Sequence, residues 1–509
     1  MVPWERKKMD VLKIVQDYID ESGCTWYKPL PKYKRLFDGG VKRKVLVEED
    51  GYYTLPVISK MEKEIAQYAV IRTHYNEDVR EIYPKAFLDI YIAFYEEQEG
   101  IKLDEWQKNA VYQALNNNLF ILTGGPGTGK TATLKCILYC LKKTLRTEDI
   151  IFTAPTGKAA RRITESVGCP ACTVAKALGL RDENSVPKKL NNACVIVDEI
   201  SMLDTVTAQA LFSATSLETK LILVGDVEQL PSVGYGSVLR DLIDGGLPCT
   251  KLEKTFRQAS ESGLFANIEH IKSGLHSGFE KRDDFDVLEA KTTSEAKDIM
   301  VKSFLEAADK YGLDNVVCLT PYRRKGEACA IKLNSILQAL INPPKNGSLC
   351  VTYTTEEEDG YRYEQKLRVG DPVMQLVNAE KVANGDVGTV CEIDKEHQKV
   401  RVRFIDCTVT YGVNQLSQLA LAYAMSVHKS QGSEYKCVVT SALSDDLQML
   451  SRNTIYTAVT RAKQKCIVVT DKGTAKKACE RESGYERVTR LADEINHQKA
   501  RYELFMKLM

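Results

Sequence analysis

The stretch TGGPGTGKT, from Thr123 to Thr131, carries the spacing G-x-x-x-x-G-K-T. Its chemistry is that of a phosphate cradle. Gly124, Gly125, Gly127 and Gly129, with Pro126 and Thr128 among them, let backbone N–H groups approach phosphate oxygens, and a helix starting at the lysine adds the positive end of its dipole. Lys130 is then expected on the β- and γ-phosphates of ATP, and Thr131 on Mg²⁺. About seventy residues later, in CVIVDEIS, an apolar run ends on two acids. Asp198 suits a water-mediated hold on Mg²⁺, and Glu199 suits orienting and deprotonating an attacking water. Hydrolysis is the implied reaction. In LVGDVEQLP, Asp226 and Gln229 come just past the next apolar run, where a polar side chain can sense a γ-phosphate.

Other residues offer weaker chemistry. NTIYTAVTRAKQ, Asn453 to Gln464, reads as a short helix with Ile455, Val459 and Ala462 on one stripe, which leaves Arg461 on the other side; alone, that is a solvated charge. Asp286, Glu289 and Lys291 in FDVLEAK have the spacing of a metal-dependent nuclease core, but three common residues without a hairpin frame match by chance. The single CxxC, Cys169 to Cys172, supplies half of a zinc site and no second pair completes it. No N-K-x-D follows the phosphate loop, so guanine is not the expected base.

The elements that must position these residues alternate. LFILT (119–123), IIFTA (150–154), CVIVDE (194–199) and KLILVGD (220–226) are apolar runs separated by amphipathic helices, the pattern of a parallel sheet with crossover helices. NVVCLT (315–320), KCVVTSA (436–442) and KCIVVTD (465–471) form a second set. Between them, 350–415 breaks into short β-runs divided by Gly, Asn and Asp, as in a small inserted antiparallel barrel. Residues 1–99 read differently: an amphipathic helix at Val11–Ile19, a hairpin turning at Asp50-Gly51, then a helix with Val57, Met61, Ile65 and Tyr68 on one face. The expected domains are a winged-helix-like α+β module (1–99), a first α/β domain (100–275) and a second (276–509) carrying the barrel.

Composition sets limits. Seventy basic against 69 acidic residues leave a formal charge of +1, so phosphates must be met in a local groove rather than by a whole-surface field. Fifteen cysteines, an odd number without regular spacing, and no apolar leader or membrane-length run point to reduced thiols and a cytoplasmic location, with no membrane partner.

With its segments in this order, the chain resembles the RecD-like helicases of superfamily 1, the branch that moves 5′ to 3′ on single-stranded DNA, over about residues 100 to 475. LDEWQ looks like the family's Q motif, TAPTGKAARRI like motif Ia, KLEKTFRQ like the motif leaving the first core domain, LALAYAMSVHKSQGSEY like motif V and NTIYTAVTRAKQ like motif VI. The resemblance implies two tandem RecA-like domains with ATP hydrolysed at the cleft between them, and an SH3-like barrel in the second. It implies Gln107 on adenine, Arg257 and Arg461 on the γ-phosphate, and Gln431 with Gly432 relaying the nucleotide state. Pro155, Thr156 and Lys158 on one domain, and Ser426, His428 and Lys429 on the other, are the implied contacts to a DNA backbone. The N-terminal stretch looks like the segment preceding the motor in the stand-alone members, in a short form lacking their longer helix-hairpin-helix region.

The expected function is that of an ATP- and Mg²⁺-dependent monomeric DNA motor acting on single strands and tailed duplexes, in repair or recombination. The alternative is a DNA-stimulated translocase subunit, recruited by a protein partner through its N-terminal module, that opens little duplex itself. The family separates strands with a pin after motif Ia; here only RDENSVPKKLNNA is available, a stubby hairpin with Asn184-Ser185 near its tip and no aromatic residue.

Overall fold

The computed structural model describes residues 10–74, 82–145, 149–180, 185–254, 262–344, 350–356, 362–379, 381–394, 396–397, 399–481 and 487–508. Their contacts gather into two units. The first runs to Pro155, resumes from Ala159 to Phe256 and takes in the C-terminal helix; the second comprises Thr156–Lys158 and the chain from Arg257 to Gly484.

The first unit opens with helices α1 (Val11–Ser22) and α2 (Lys34–Lys42), the hairpin β1 (Val47–Glu49) and β2 (Tyr52–Thr54), and helices α3 (Pro56–His74) and α4 (Lys85–Glu99). Asp50 (φ 50°) and Gly51 (φ 80°) are both left-handed, as a two-residue hairpin turn requires. Val11, Val15, Ile19, Phe37, Tyr53 and Ile58 close a small core. The expected stripe on α3 is corrected: Val57 is exposed, and the buried face runs through Ile58, Glu62, Ile65, Ala66, Ala69 and Arg72. Two charges lie on it because each finds distant partners. Glu62 accepts from Thr25 Oγ1 (2.6 Å) and Trp26 Nε1 (2.7 Å). Arg72 donates to the carbonyls of Thr215 (3.0 Å), Ser216 (2.6 Å) and Thr219 (2.6 Å), beyond the end of a helix whose dipole favours a cation there.

There follow α5 (Glu105–Asn116), β3 (Leu119–Gly124), α6 (Lys130–Leu145), β4 (Ile150–Ala154), α7 (Gly157–Val167), β5 (Ala171–Thr173), α8 (Val174–Leu178), β6 (Cys194–Val197), α9 (Thr205–Ala214), β7 (Lys220–Gly225), α10 (Val238–Asp244) and β8 (Cys249–Leu252). The strands pair in parallel in the order β5-β4-β6-β7-β3-β8. Every residue of β3, β6 and β7 is buried, which explains their unbroken apolar sequences: helices cover both faces.

In the second unit, α11 (Gly263–Lys272), β9 (Phe285–Ala290), α12 (Thr293–Tyr311), β10 (Val316–Thr320) and α13 (Ala330–Ile341) lead to the insertion. Its strands are β11 (Cys350–Glu356), β12 (Arg362–Arg368), β13 (Pro372–Gln375), β14 (Val387–Asp394), β15 (Lys399–Arg403), β16 (Thr408–Gly412) and β17 (Leu419–Leu421). β11 and β12 form a ribbon, and the rest an antiparallel sheet in the order β16-β15-β14-β13-β17, so the insertion extends past 415 to include β17. Then β18 (Ala424–Ser426), β19 (Tyr435–Ala442), α14 (Arg452–Val459), β20 (Ala462–Asp471) and α15 (Thr474–Glu480) complete a parallel sheet, β18-β10-β19-β20-β9.

The expected second domain does not extend to residue 509. The last helix, α16 (Leu491–Leu508), packs on α3 and α10 of the first unit, and Leu491 and Ile495 join that unit's core. A strap ahead of it is pinned by Arg487, which donates to the carbonyls of Ser232 (2.6 Å), Gly234 (2.7 Å) and Gly236 (2.7 Å). Arg490 reaches Asp50 in the hairpin at 2.8 Å. No helix among the described residues is long and apolar enough to cross a membrane.

Candidate active site

β3 leaves the sheet at its C-terminal edge, and the chain turns through Gly127 (φ 75°) and Gly129 (φ 83°) into α6. Both backbones lie where a Cβ is strained. Gly124 is needed for space: a Cβ there would stand 2.8 Å from the Leu252 carbonyl of β8 and from Thr128 Oγ1. The loop is braced from within. Thr128 Oγ1 donates to the Gly125 carbonyl (2.8 Å), and Gln107 Nε2 donates to the Thr128 carbonyl (3.3 Å). Gln107 also closes a capping box with Asp104 at the start of α5, so its buried amide supports the loop from an adjoining helix. Lys130 Nζ donates to the carbonyls of Gly124 and Gly125, and Thr131 is exposed in the first turn of α6.

Asp198 and Glu199 follow β6. Glu199 is left-handed (φ 53°, ψ 38°), a conformation that costs a β-carbon residue on the order of 1 kcal/mol and needs enforcement by its surroundings. Its N–H donates to Asp198 Oδ1 (2.8 Å), and its carboxylate lies 3.6 Å from Arg162 of α7. Burial, and then the charge of Glu199, push the Asp198 carboxyl up to about 6; the Glu199 N–H, Arg162 and Lys130 pull the other way. Beyond β7, Asp226 and Gln229 are buried, with the Gln229 N–H on the Asp226 carbonyl at 3.2 Å. Since β6, β7 and β3 are consecutive neighbours in a parallel sheet, the acids, Gln229 and the phosphate loop all leave from its C-terminal edge, where open α/β sheets bind ligands. The exposed Thr131 hydroxyl and the Asp198 carboxylate are hard oxygen donors, a set that fits a Mg²⁺ sharing its shell with phosphates and water.

In the second unit the structure corrects the reading of Arg461. Helix α14 ends at Val459, Ala462 already belongs to β20, and Asn453 through Val459 are all buried. There is no wet face. Arg461, 3% exposed, sits in the turn between helix and strand. Its guanidinium donates to the carbonyls of Thr457 (3.1 Å) and Ser433 (3.3 Å) and to Thr460 Oγ1 (3.3 Å). Ser433 follows Gln431 and Gly432 (φ 72°), so the motif V and motif VI segments meet at this arginine. Ser426 ends β18, and His428 and Lys429 form a single helical turn after it. Packing around the Lys429 head group, and then the charge of Arg323, lower its ammonium pKa, while Nζ donates to Asn384 Oδ1 at 3.0 Å. Pro155 and Thr156 follow β4, with Lys158 in the first turn of α7. Arg257 and Asn184 lie outside the described residues.

The nuclease spacing dissolves on the strand: Asp286 and Glu289, three apart on β9, face opposite sides. Asp286 pairs with Lys465 (2.5 Å) and Lys281 (3.3 Å). Sequence reasoning missed Arg162; the signal available was its place one turn after Lys158 on α7.

Comparison with known proteins bears on both units. Residues 107–235 match the model of an AAA domain, and residues 421–469 that of a UvrD-like helicase C-terminal domain. Residues 333–404 match the SH3 domain of ATP-dependent RecD-like DNA helicases. Taken in chain order, these three matches make the chain similar to RecD-like DNA helicases. An ATP-dependent RecD2 DNA helicase of Deinococcus radiodurans is 33% identical over 369 residues, covering 71% of this chain and 48% of that protein, so the chain spans about half the length of this relative. A RecBCD enzyme subunit RecD of Mycolicibacterium smegmatis is 29% identical, over 74% of this chain and 73% of that one. A Bacteroides Pif1 helicase, in complex with ADP-AlF3 and ssDNA, superposes on 79% of this chain and 98% of its own with a TM-score of 0.46 at 18% identity, too loose a likeness to bear on function.

Proposed function

We propose that this RecD-like chain is an ATP-dependent DNA helicase that moves 5′ to 3′ on single strands. The observation that carries the reading is the shared C-terminal edge of β3, β6 and β7, which sends out a phosphate loop, an acid pair and a buried glutamine together. In this reading Lys130 exchanges its two carbonyl partners for the β- and γ-phosphate oxygens. Asp198 and Thr131 would hold Mg²⁺, which neutralises phosphate charge when bound. Glu199, fixed in its left-handed turn, takes the proton of the attacking water, and Gln229 senses the γ-phosphate. Gln107, through the loop it braces, contributes to adenine recognition. Arg461 and Arg257 neutralise charge on the γ-phosphate, with Gln431 and Gly432 beside Arg461 as the relay. Thr156, Lys158, Ser426, His428 and Lys429, with Pro155, grip the strand by its backbone, giving weak sequence preference and strong salt dependence. Displacement from duplexes with a 5′ or a 3′ single-stranded tail tests the direction; faster opening of the 3′-tailed duplex would overturn it.

A second reading, a DNA-stimulated translocase subunit, is favoured by one observation. Among the described residues, 185–193 carries no strand beyond a single bridge from Leu190 to Thr215, so these nine of the thirteen residues lend no support to the expected pin. The relatives named as RecD subunits of RecBCD enzyme support a protein partner, which this reading sets on the N-terminal module. Under this reading single strands raise ATP turnover while neither tailed duplex opens.

A further inference from the structure

Within the second unit a cleft of about 400 Å³ lies against α13, the β12 ribbon strand and β18. Ser426 and Lys429 are on its wall, but most of its surface comes from residues with no assigned role. Met374, Leu421 and Met425 give it apolar surface, while Arg323 and Lys429 supply cations; Lys366, also at the wall, pairs with Glu364 at 3.5 Å. Glu364 is the one acid among the lining residues.

The walls are fixed by bonds that need no ligand. Gln338 Nε2 donates to the Lys366 carbonyl (2.7 Å) and to Asp371, tying α13 to the ribbon. Gln365 Nε2 donates to the Tyr363 hydroxyl (3.0 Å), and the Arg323 guanidinium stands 5.6 Å from the Tyr363 ring centroid and donates to its hydroxyl. Tyr363 is thus a rigid aromatic edge. A preformed pocket of this size, part apolar and part cationic with one held aromatic ring, matches a nucleobase with its phosphate more closely than it matches a bare phosphate backbone.

We propose that this cleft takes one nucleotide of the bound single strand, its base inward beside Tyr363 and its phosphate at Arg323 and Lys429. The inference rests on the single-strand reading of Ser426 and Lys429 and changes it: unit two then holds the strand by a base as well as by its backbone. Base contacts of this kind raise affinity about tenfold.

The test uses the full chain and two fluorescent 15-mers, one of thymidylate and one of abasic sites on the same backbone, followed by anisotropy. The unaltered chain should bind thymidylate about tenfold more tightly than the abasic strand. Ala339→Trp, which fills the cleft from the exposed side of α13, should remove most of that preference while leaving affinity for the abasic strand within about twofold. Ser335→Trp fills it from one turn earlier and serves if Ala339→Trp does not fold. Equal binding of both strands by the unaltered chain, or a preference that survives a folded filling variant, overturns the base pocket and leaves the backbone reading standing. Failure to bind either strand overturns both.

Discussion

Lys130 and Arg461 are two cations that the proposed function sets on one nucleotide, and the chain holds them in different ways. Lys130 is half-buried on a flexible stem, set on two loop carbonyls and close enough to Asp198 to shift its proton affinity. It can move onto a phosphate by exchanging one set of oxygens for another. Arg461 is buried, its planar fork spread over two carbonyls and a hydroxyl that fix its direction. The first suits capture of a ligand, and the second suits a charge whose position is read out by the segments around it.

Four measurements break or sharpen this contrast. Lys130→Ala should reduce ATP turnover to background, a loss of at least about 10³, and weaken nucleotide binding measured by calorimetry. Arg461→Ala should lower turnover by about 10³ while nucleotide affinity stays within about threefold, and Arg461→Lys should not restore it, because a single ammonium cannot span the same three acceptors. If Arg461→Ala hydrolyses ATP normally, the contrast has no functional content. Glu199→Gly and Glu199→Ala should both lose hydrolysis, but the glycine variant should be the more stable by about 1 kcal/mol in urea titration, since only glycine relieves a φ of 53°. The smallest effect concerns Asp198. Its carboxyl is raised to about 6, so its protonated form is favoured by the fold and the stability tied to that proton is lost as pH rises through 6. Asp198→Asn should therefore raise the melting temperature by about 3 °C at pH 8, by roughly half of that at pH 5, where the unfolded carboxyl is already ionised, and by little only near the ordinary carboxylate value of about 4.

Much of the first half of the site was legible in sequence because its chemistry is local. Glycines 127 and 129 encode backbone angles, and the runs before Thr123, Asp198 and Asp226 encode buried strands, so order along the chain nearly gives position at the sheet edge. Asp50-Gly51 was legible for the same reason. Arg461 was not: helical periodicity over twelve residues has no means of announcing that Ser433, 28 residues earlier, supplies a carbonyl that buries the charge. The face of α3 was misread likewise, since Glu62 and Arg72 enter the interior only because Trp26 and the end of α9 receive them. The ribbon cleft had no signature, as its walls come from five separate segments.

The clamp of Arg487 on the loop at Ser232–Gly236, and of Arg490 on the hairpin, settles what a label near residue 508 would report. The chain enters the second unit after Phe256 and leaves it again before α16. A dye or fusion attached beyond α16 therefore rides with the phosphate loop and not with Arg461. An optical ruler meant to follow one unit against the other needs its second mark on α15 or on the exposed end of β15, with the C-terminal mark serving as its fixed end.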